Sequence, residues 1–356
     1  MAWAKRTAAV ALLLAGGLVS CRPAAEATAP ERAPSAGVAA SAAAESAPAA
    51  GAATPLKVVY GSPTGGNSVL WVTKEAGFFE QNDLDVQLDM VRGNTLVLAA
   101  LMNGQIDVAQ NAGPAVIDAA LVSQRIVALA AYTDRYTYKL MAAPTIQQPA
   151  DLRGQSFAAS SPGSSDEVAA RQVLTALGVD PREMSFVTMQ DQNGRVAAMR
   201  QGLVQATIVV PPNDVVLKNA GFVDLVDTAD LPLPYVGVAP SVTPESLRTN
   251  RPALERFMRA MVQGIAYYKQ NAAFVKGVVR RYMDLEDEAA LDAAASYYGR
   301  VLQRLPYVPP EGVQAMVDAA AVQNPAARDL DPTTLYDNSL VRRVDESGLV
   351  RALYVN

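Results

Sequence analysis

The stretch from Ala99 to Ala120, AALMNGQIDVAQNAGPAVIDAA, decides the fold because a second stretch, 98 positions later, repeats its pattern. The second copy, Ala197 to Lys218, reads AAMRQGLVQATIVVPPNDVVLK. In each copy a helical segment ends at a glycine, Gly104 or Gly202, which tolerates the left-handed conformation of a helix C-terminal cap. A short apolar strand, a turn and a second helix follow. The repetition predicts two similar α/β units.

The turns that leave the two repeated strands are candidate ligand-binding elements. They are Asn111-Ala112-Gly113 in the first copy and Pro211-Pro212-Asn213 in the second. In an open α/β sheet, ligands bind at the carboxyl ends of the strands, where helix N-termini present free N–H groups. We therefore expect Asn111 and Asn213 to face each other across a bound molecule. Similar turns also occur in α/β proteins that bind nothing there, so the motif alone does not decide between the two interpretations.

The composition excludes several classes of function. Half of the 356 residues are apolar, which is enough for a large core, and the formal net charge of −5 argues against a nucleic-acid partner. The chain has no histidine, which is the commonest general base and a common zinc ligand. Its single cysteine, Cys21, precludes a disulfide within the chain and a cysteine nucleophile in the folded body. We therefore expect neither a metal nor a cofactor.

The N-terminal region has the features of an export signal. Residues 1–20 contain the basic start, the apolar run and the small residues that are typical of a signal peptide. The string Leu18-Val19-Ser20-Cys21 resembles a bacterial lipobox, which implies cleavage before Cys21 and a lipid on that residue; the alternative is a secreted protein with an incidental cysteine. Residues 21–54 are mostly Ala, Pro, Ser and Glu and cannot bury enough apolar surface to fold. We expect a disordered tether there.

Two further turns connect a predicted strand to a predicted helix. Residues 62–68, SPTGGNS, follow the first strand of the body, and Ser160 to Ser165, SSPGSS, follow the strand SFAAS. Hydroxyl and N–H groups at a helix start suit an anion or a carbonyl oxygen. Helix capping by Ser164, Ser165 or Asp166 needs no ligand and is compatible with ligand binding.

The C-terminal part of the chain, from residue 252, shows helical periodicity in four segments and predicts a helical tail. The tyrosine pairs Tyr267-Tyr268 and Tyr297-Tyr298 lie in this tail. Aromatic residues at helical spacing usually pack in a core, so we expect none of the four to contact a ligand. Before the tail, residues 231–240, LPLPYVGVAP, are too rich in proline for an interior strand and predict a segment that crosses between the two units.

In this order, the features resemble the bacterial solute-binding proteins of ABC importers, in the group that binds nitrate, sulfonate, taurine and thiamine-pyrimidine precursors. The stretches that carry the resemblance are GFFEQNDLDVQL, AALMNGQIDVAQNAGP, PADLRGQSFAASSPGSS, AAMRQGLVQATIVVPP, NRPALERFMRAMVQGIAYYKQN and LYDNSLVRRV. The resemblance implies an α/β, two-lobed type 2 periplasmic-binding-protein fold, with a mixed sheet flanked by helices in each lobe and a helical C-terminal tail. It implies lobe 1 at residues 55–143 and 236–356 and lobe 2 at residues 144–235, with crossings near Pro144 and Tyr235.

The strand-end turns and the resemblance together select the candidate ligand-binding residues. Tyr132 and Tyr235 come from the resemblance alone, and Trp71 is proposed to stack on a ligand, with a place in the core as the alternative. Gln205 departs from the family pattern. Relatives often have Asp at this position, as this chain has Asp107 at the corresponding position of the first copy, and we expect the difference to change a structural contact. The full set is Thr64, Gly65, Asn67, Trp71, Asn94, Asn111, Tyr132, Ser160, Ser161, Ser164, Ser165, Gln190, Asn193, Asn213 and Tyr235.

The resemblance implies binding without catalysis. A small polar or anionic molecule (sulfonate, nitrate or pyrimidine-like) would touch both lobes and close the cleft, and an ABC permease of the inner membrane would recognise the closed form. The expected partners are a small-molecule ligand, that permease and, through the lipid anchor, a membrane. No nucleic acid is expected, and the protein would be a monomer in the periplasm or on the outer face of the cell membrane.

The charge of the ligand and two other functions stay open at this point. Arg92, Arg135 and Arg195 flank the selected turns and suit a carboxylate or sulfonate, although such arginines are usually solvated. One alternative function is a synthase-like enzyme on the same fold that acts on a pyridoxal or pyrimidine substrate. The other is a lipoprotein that senses its ligand for a signalling partner.

Overall fold

The computed structural model describes residues 53–122, 125–189 and 191–354, which belong to one compact unit that spans residues 50–356. These residues form ten strands and thirteen helices, besides short 3₁₀ turns. None of the helices in these ranges combines the length and the hydropathy that crossing a bilayer requires. The predicted signal peptide, Cys21 and the tether up to residue 52 lie outside the described residues.

Strands and helices alternate over most of the described chain up to residue 242, except that no α-helix separates β4, β5 and β6 or separates β9 and β10; helices alone follow. The strands are β1 (Thr54–Tyr60), β2 (Leu84–Met90), β3 (Val108–Ala112), β4 (Val127–Ala128), β5 (Lys139–Ala142), β6 (Ser156–Ala159), β7 (Ser185–Thr188), β8 (Ala206–Val209), β9 (Val223–Asp227) and β10 (Val238–Val242). The helices are α1 (Ser68–Glu75), α2 (Asn94–Met102), α3 (Pro114–Leu121), α4 (Ser165–Ala176), α5 (Gln192–Arg200), α6 (Asn213–Asn219), α7 (Pro244–Thr249), α8 (Arg251–Gln270), α9 (Ala272–Met283), α10 (Glu288–Val301), α11 (Pro310–Gln323), α12 (Ser339–Glu346) and α13 (Leu349–Tyr354).

The strands form two five-stranded sheets with the same topology. The strand order is β2-β1-β3-β10-β4 in the first sheet and β7-β6-β8-β5-β9 in the second. In each sheet the first three strands are parallel, and the fourth, β10 or β5, runs antiparallel to both of its neighbours. The prediction of two similar α/β units is therefore confirmed, and each sheet is the centre of one lobe.

The repeated stretch occupies equivalent places in the two sheets, since β3 and β8 are the third strands of their sheets. Gly104 and Gly202, which precede these strands, both have positive φ angles, 66° and 70°. The side chain of Asp107 accepts a hydrogen bond at 2.7 Å from a backbone N–H of β1. Gln205 accepts one at 2.6 Å from the hydroxyl of Ser156 on β6, the corresponding strand. Gln205 thus makes a structural contact, as expected.

The first crossing between the lobes lies before β5 and not near Pro144. Because β5 pairs with β8 and β9, residues 139–143 belong to the second lobe. The predicted boundary is wrong here because the proline-glycine cluster that suggested it forms the turn after β5, and a short apolar strand carries no local signal of the sheet it joins. The second crossing contains Tyr235, as expected. Contrary to the prediction, the proline-rich segment then enters an interior strand, β10, with Pro240 inside it.

Two crossing segments, residues 129–138 and 228–237, connect the lobes and run side by side. The backbone N–H groups of Tyr235 and Gly237 each donate a hydrogen bond at 3.0 Å to a carbonyl of the other segment. The rings of Tyr136 and Tyr235 stack with their centroids 4.1 Å apart, inside an apolar cluster that includes residues of both lobes. The crossing segments therefore form a paired hinge with a packed core.

The helical tail packs on the first sheet, as predicted. Phe257 and Met261 of α8 are fully buried in the same cluster as Trp71 and Phe79. The helices after α8 extend this packed layer. Helix α10 reaches the edge of the space between the lobes, where it places Tyr298. The tail therefore supplies both a core and one wall of the site described below.

Candidate functional site

A cavity of about 510 Å³ lies between the lobes, where β1, β3, β6 and β8 end. This volume suits a small organic molecule. Another cavity of about 530 Å³ lies between α4 and α11, but its exposed surface is mostly apolar, so the cavity between the lobes is the better candidate for a polar ligand. The first cavity, called the cleft below, is lined by Gly61, Ser62, Thr64, Gly66, Asn67, Gly93, Gln110, Asn111, Ala112, Thr137, Tyr138, Ser160, Ser164, Ser165, Asp166, Gln192, Arg195, Val210, Tyr235, Gly237, Val238 and Tyr298.

A chain of hydrogen bonds holds the amide side chains of the first lobe in place. The hydroxyl of Tyr132 donates to Oε1 of Gln110 at 2.9 Å, and Nε2 of Gln110 donates to Oδ1 of Asn67 at 3.0 Å. Nδ2 of Asn67 in turn donates to the carbonyl of Ser62 at 2.8 Å. Each link fixes the orientation of the next amide, so this wall of the cleft is preorganised.

Asn111 is the residue of this wall whose amide has no partner in the described part of the chain. It lies at the end of β3 with 3% of its surface exposed, and neither Oδ1 nor Nδ2 makes a hydrogen bond to the protein. Burying a polar group without a hydrogen bond costs about 1–3 kcal/mol. Asn111 lines the cleft, and the described part of the protein supplies no partner for either the donor or the acceptor of its amide.

The wall of the second lobe contains a buried ion pair. Nη1 of Arg195 lies 3.0 Å from Oδ2 of Asp166, and the two side chains are 5% and 11% exposed. The hydroxyl of Ser160 accepts a hydrogen bond from Arg195 at 2.7 Å and donates one to Asp166 at 2.9 Å. Nε of Arg195 is buried and has no protein partner. On the same helix as Arg195, Gln192 accepts a hydrogen bond at 2.7 Å from the N–H of Val210.

Three tyrosines close the remaining sides of the cleft. Tyr138 and Tyr235 come from the crossing segments and Tyr298 from α10. Burial raises the pKa of each of the three phenols well above its ordinary value, and the nearby Asp166 carboxylate raises that of Tyr138 further. The three hydroxyl groups are therefore neutral at physiological pH.

The structure brings seven of the predicted residues together in the cleft. Ser164 also caps α4, because its hydroxyl accepts the N–H of Glu167 at 3.4 Å, so capping and a place in the cleft coexist as expected. Gly65 lies behind the wall, where the ring of Tyr298 packs on its backbone. The seven lining residues are Thr64, Asn67, Asn111, Ser160, Ser164, Ser165 and Tyr235.

Besides Gly65, five predicted residues do not line the cleft. Trp71 is fully buried and stacks on Tyr282 at 5.0 Å between ring centroids, so its alternative place in the core is the observed one. Tyr132 is fully buried and acts on the cleft only through its bond to the Gln110 amide. The other three are Ser161, Asn193 and Asn213.

Asn213 fails to face Asn111 because the second copy of the repeat places its turn differently. Here Val210, the residue after β8, reaches the cleft, and Asn213 is already the first residue of α6. Gln190, the side chain of Asn94, and Cys21 lie outside the described residues. Of the flanking arginines, Arg195 lines the cleft, whereas Arg135 pairs with Asp134 at 2.7 Å.

Several residues of the cleft were missed at the sequence level. Gln110 stands beside Asn111 as a second amide in an otherwise apolar strand, and that pattern was a usable signal. Asp166 was considered only as a helix cap. Tyr298 was assigned to packing because helical periodicity does not reveal which part of a helix borders a cavity, yet its ring lines the cleft. No pattern in the sequence around Tyr138 indicated that it would lie in the cleft.

A comparison with protein-family models gives the family. The model described as NMT1/THI5 like matches residues 67–273, more than half of the chain. The chain belongs to the NMT1/THI5-like family. A comparison with curated protein sequences finds no significant match.

Solved structures share the fold of this NMT1/THI5-like protein. The periplasmic aliphatic sulphonate binding protein SsuA from Escherichia coli is 18% identical, with a TM-score of 0.65 and coverage of 79% of this chain and 91% of SsuA. The periplasmic nitrate-binding protein NrtA from Synechocystis PCC 6803 is 14% identical, with a TM-score of 0.65 and coverage of 83% and 89%. A DszB mutant in complex with biphenyl-2-sulfinic acid is 12% identical, with a TM-score of 0.62 and coverage of 83% and 99%. These matches confirm the two-lobed periplasmic-binding-protein fold that the sequence predicts.

Proposed function

We propose that this NMT1/THI5-like protein is the solute-binding component of an ABC importer and that it captures a small polar molecule without chemical change. The observation that carries the proposal is the buried amide of Asn111, which lies between the lobes with a free donor and a free acceptor. The names of SsuA and NrtA, which share the fold, describe periplasmic binding proteins and support a binding role.

The two walls of the cleft act as half-sites. The first lobe offers the amides of Gln110 and Asn111, and the second offers Ser160 and Gln192. A ligand that bonds to both walls favours the closed arrangement, and the difference in its affinity for the open and closed forms determines how far the equilibrium shifts. The paired crossing segments restrict this motion to a hinge.

The remaining parts of the proposal concern location and partner. The signal-like residues 1–20 and the lipobox-like string before Cys21 support an exported, lipid-anchored protein. The inner-membrane permease would then receive the closed, loaded form. The residues after Cys21 contain neither histidine nor cysteine, which supports binding over catalysis.

Isothermal titration calorimetry of the purified protein tests the binding function. The titrants are sodium nitrate, methanesulfonate, taurine, cytosine, nicotinamide and L-amino acids, and proton NMR of each mixture detects turnover. We expect one chemical class to bind without turnover. Turnover of a titrant would replace the binding function with an enzymatic one, and absence of all binding would overturn the proposal.

Substitution of Asn111 tests whether binding occurs in the cleft. Asn111→Leu removes both polar atoms and adds bulk, so the affinity for the compound that binds should fall about 100-fold or more. Asn193→Leu, on an exposed position of α5 outside the cleft, is the matched control and should keep the affinity. Equal affinity in the Asn111→Leu protein would remove the first lobe from the site.

Uptake in living cells separates an importer from a sensor. If the protein serves a permease, cells that lack it should lose high-affinity uptake of the compound that binds in calorimetry. Normal uptake together with a lost transcriptional response to that compound would instead indicate a sensor lipoprotein.

A further inference from the structure

We infer that the ligand of this cleft is uncharged and presents a hydrogen-bond donor beside an acceptor, as the edge of a carboxamide, a lactam or an amino-substituted heterocycle does. The inference rests on the proposed binding function and narrows its ligand class. It separates this protein from relatives of the same fold that are named for sulfonate and nitrate, both of which are anions.

The first argument concerns charge. Of the cleft-lining residues that the structure describes, Arg195 and Asp166 alone carry charged side chains, and they pair with each other at 3.0 Å. Both are largely buried, and the Ser160 hydroxyl bonds to both of them. The guanidinium is therefore neutralised by a carboxylate of the same wall, and an anion entering the cleft would lose its hydration without gaining a free cation.

Carboxylates of the protein also lie at the N-termini of α4 and α5 in the second lobe. Asp166 and Glu167 place two carboxylates in the first turn of α4, and these carboxylates accept the backbone N–H groups of Ser160 at 2.8 Å and Gly163 at 3.2 Å in the loop before the helix. Asp191 caps α5 through the N–H of the third helical residue at 2.7 Å. Helix N-termini attract anions through free N–H groups and the helix dipole, and here carboxylates of the protein already occupy that role.

The second argument concerns the amide of Asn111. An amide needs an acceptor for its N–H group and a donor for its carbonyl oxygen, and neither atom of Asn111 is paired with the protein. A sulfonate or nitrate only accepts, so it would leave the carbonyl oxygen of Asn111 unpaired and next to a negative charge. A ligand edge with one donor and one acceptor satisfies both atoms. This conclusion holds for either orientation of the amide.

The aromatic walls agree with a flat, uncharged ligand. Tyr138, Tyr235 and Tyr298 line the cleft, and Val238 adds an apolar contact surface. Phenol rings offer apolar faces to a planar molecule, while their neutral hydroxyl groups both donate and accept. The cleft thus combines flat apolar walls with a small number of hydrogen-bond donors that each have an acceptor beside them.

Calorimetry of the wild-type protein with a broad panel of small metabolites, matched in size and divided into uncharged and anionic members, tests this inference. Nicotinamide with nicotinate, and 2-pyridone with benzenesulfonate, are matched pairs in the panel. We expect the uncharged member to bind at least about tenfold more tightly. Tighter binding of anionic members would overturn the inference and leave the binding function standing, whereas absence of all binding would overturn both.

A variant without the carboxylate that neutralises Arg195 tests the charge argument directly. Asp166→Asn removes the built-in partner of Arg195, so the affinity for methanesulfonate should rise about tenfold or more above that of the wild type. Asp85→Asn, on an exposed position of β2, is the control and should leave methanesulfonate affinity unchanged. A folded Asp166→Asn protein without this gain would contradict the charge argument. The wild-type panel decides the inference if the variant does not fold.

Discussion

At the scale of single residues, Gly65 shows how closely the wall of the cleft is packed. A Cβ atom at this position would lie 2.1 Å from Cε2 of Tyr298, far inside van der Waals contact. Gly65→Ala should therefore displace the Tyr298 ring from the cleft, lower the free energy of unfolding by about 1–3 kcal/mol and weaken ligand binding. Urea denaturation and calorimetry with the compound that binds the wild type measure the two effects.

Gly299, the residue after Tyr298, provides the matched control for that change. A Cβ there meets no atom within 4 Å, and the residue lies inside α10. Gly299→Ala should leave ligand affinity unchanged and stabilise the protein by up to about 1 kcal/mol through helix propensity. If Gly65→Ala behaved like this control, the contact between Gly65 and the tyrosine ring would have no energetic role.

Apart from Tyr235, which came from the resemblance, the residues that the sequence located in the cleft are those whose position follows from local structure. Asn111 lies at the end of a short apolar strand and Ser160 follows another, and such strand ends converge at one edge of a sheet. The ion pair of Asp166 with Arg195 joins two different helices, and Tyr298 reaches the cleft from the distant tail. These contacts depend on tertiary packing, for which one sequence carries no local signal.

At the scale of the elements, α10 is joined to β9 of the second lobe by a cluster of charges around Asp227. Nζ of Lys139 lies 3.0 Å from Oδ2 of Asp227, the hydroxyl of Tyr297 donates to Oδ1 at 3.1 Å, and Arg300 pairs with the same carboxylate. Burial alone would raise the pKa of Asp227, but Lys139, the Ala229 N–H and Arg300 outweigh it and hold the pKa below its ordinary value.

Asp227→Asn should therefore lower the free energy of unfolding by about 1–3 kcal/mol at neutral pH. Because the folded pKa is depressed, the contribution of Asp227 is present above the unfolded pKa of about 4 and is lost as pH falls through the folded value. The difference between wild type and variant should thus shrink below about pH 4. Urea unfolding across this pH range measures it.

Asp85→Asn again serves as the control, since Asp85 is an exposed carboxylate of β2. Its unfolding free energy should follow that of the wild type at every pH. A difference for Asp227→Asn that stayed constant down to about pH 3 would show that packing, and not the charge of Asp227, accounts for the loss.

The strands and helices also show which features of the fold the sequence predicted and which it did not. Gly104, Gly202 and the strands after them were identified because the caps and the apolar runs are local, and the two sheets repeat the same topology. The position of β5 in the second sheet was not predicted, since a strand of four mostly apolar residues fits either sheet. Its pairing with β8 and β9 is decided by long-range contacts. Pro240 likewise did not prevent β10 from forming an interior strand.

At the scale of the whole molecule, the paired crossing segments make closure the expected response to a ligand. Rotation about two adjacent segments changes the width of the cleft while each lobe keeps its own sheet. A saturating ligand should therefore reduce the radius of gyration by an amount on the order of 1 Å. Small-angle X-ray scattering of the purified protein, with and without the compound that binds, measures this change.

The variants distinguish closure by the ligand from a general effect of the added compound. Asn111→Leu protein should show no decrease in the radius of gyration at the same concentration, because the ligand no longer bonds to the first lobe, whereas Asn193→Leu protein should contract like the wild type. A ligand bonding to one lobe only has equal affinity for the open and closed forms and shifts nothing. Tight binding without contraction in the wild type would therefore place the ligand on a single lobe and contradict the hinge mechanism.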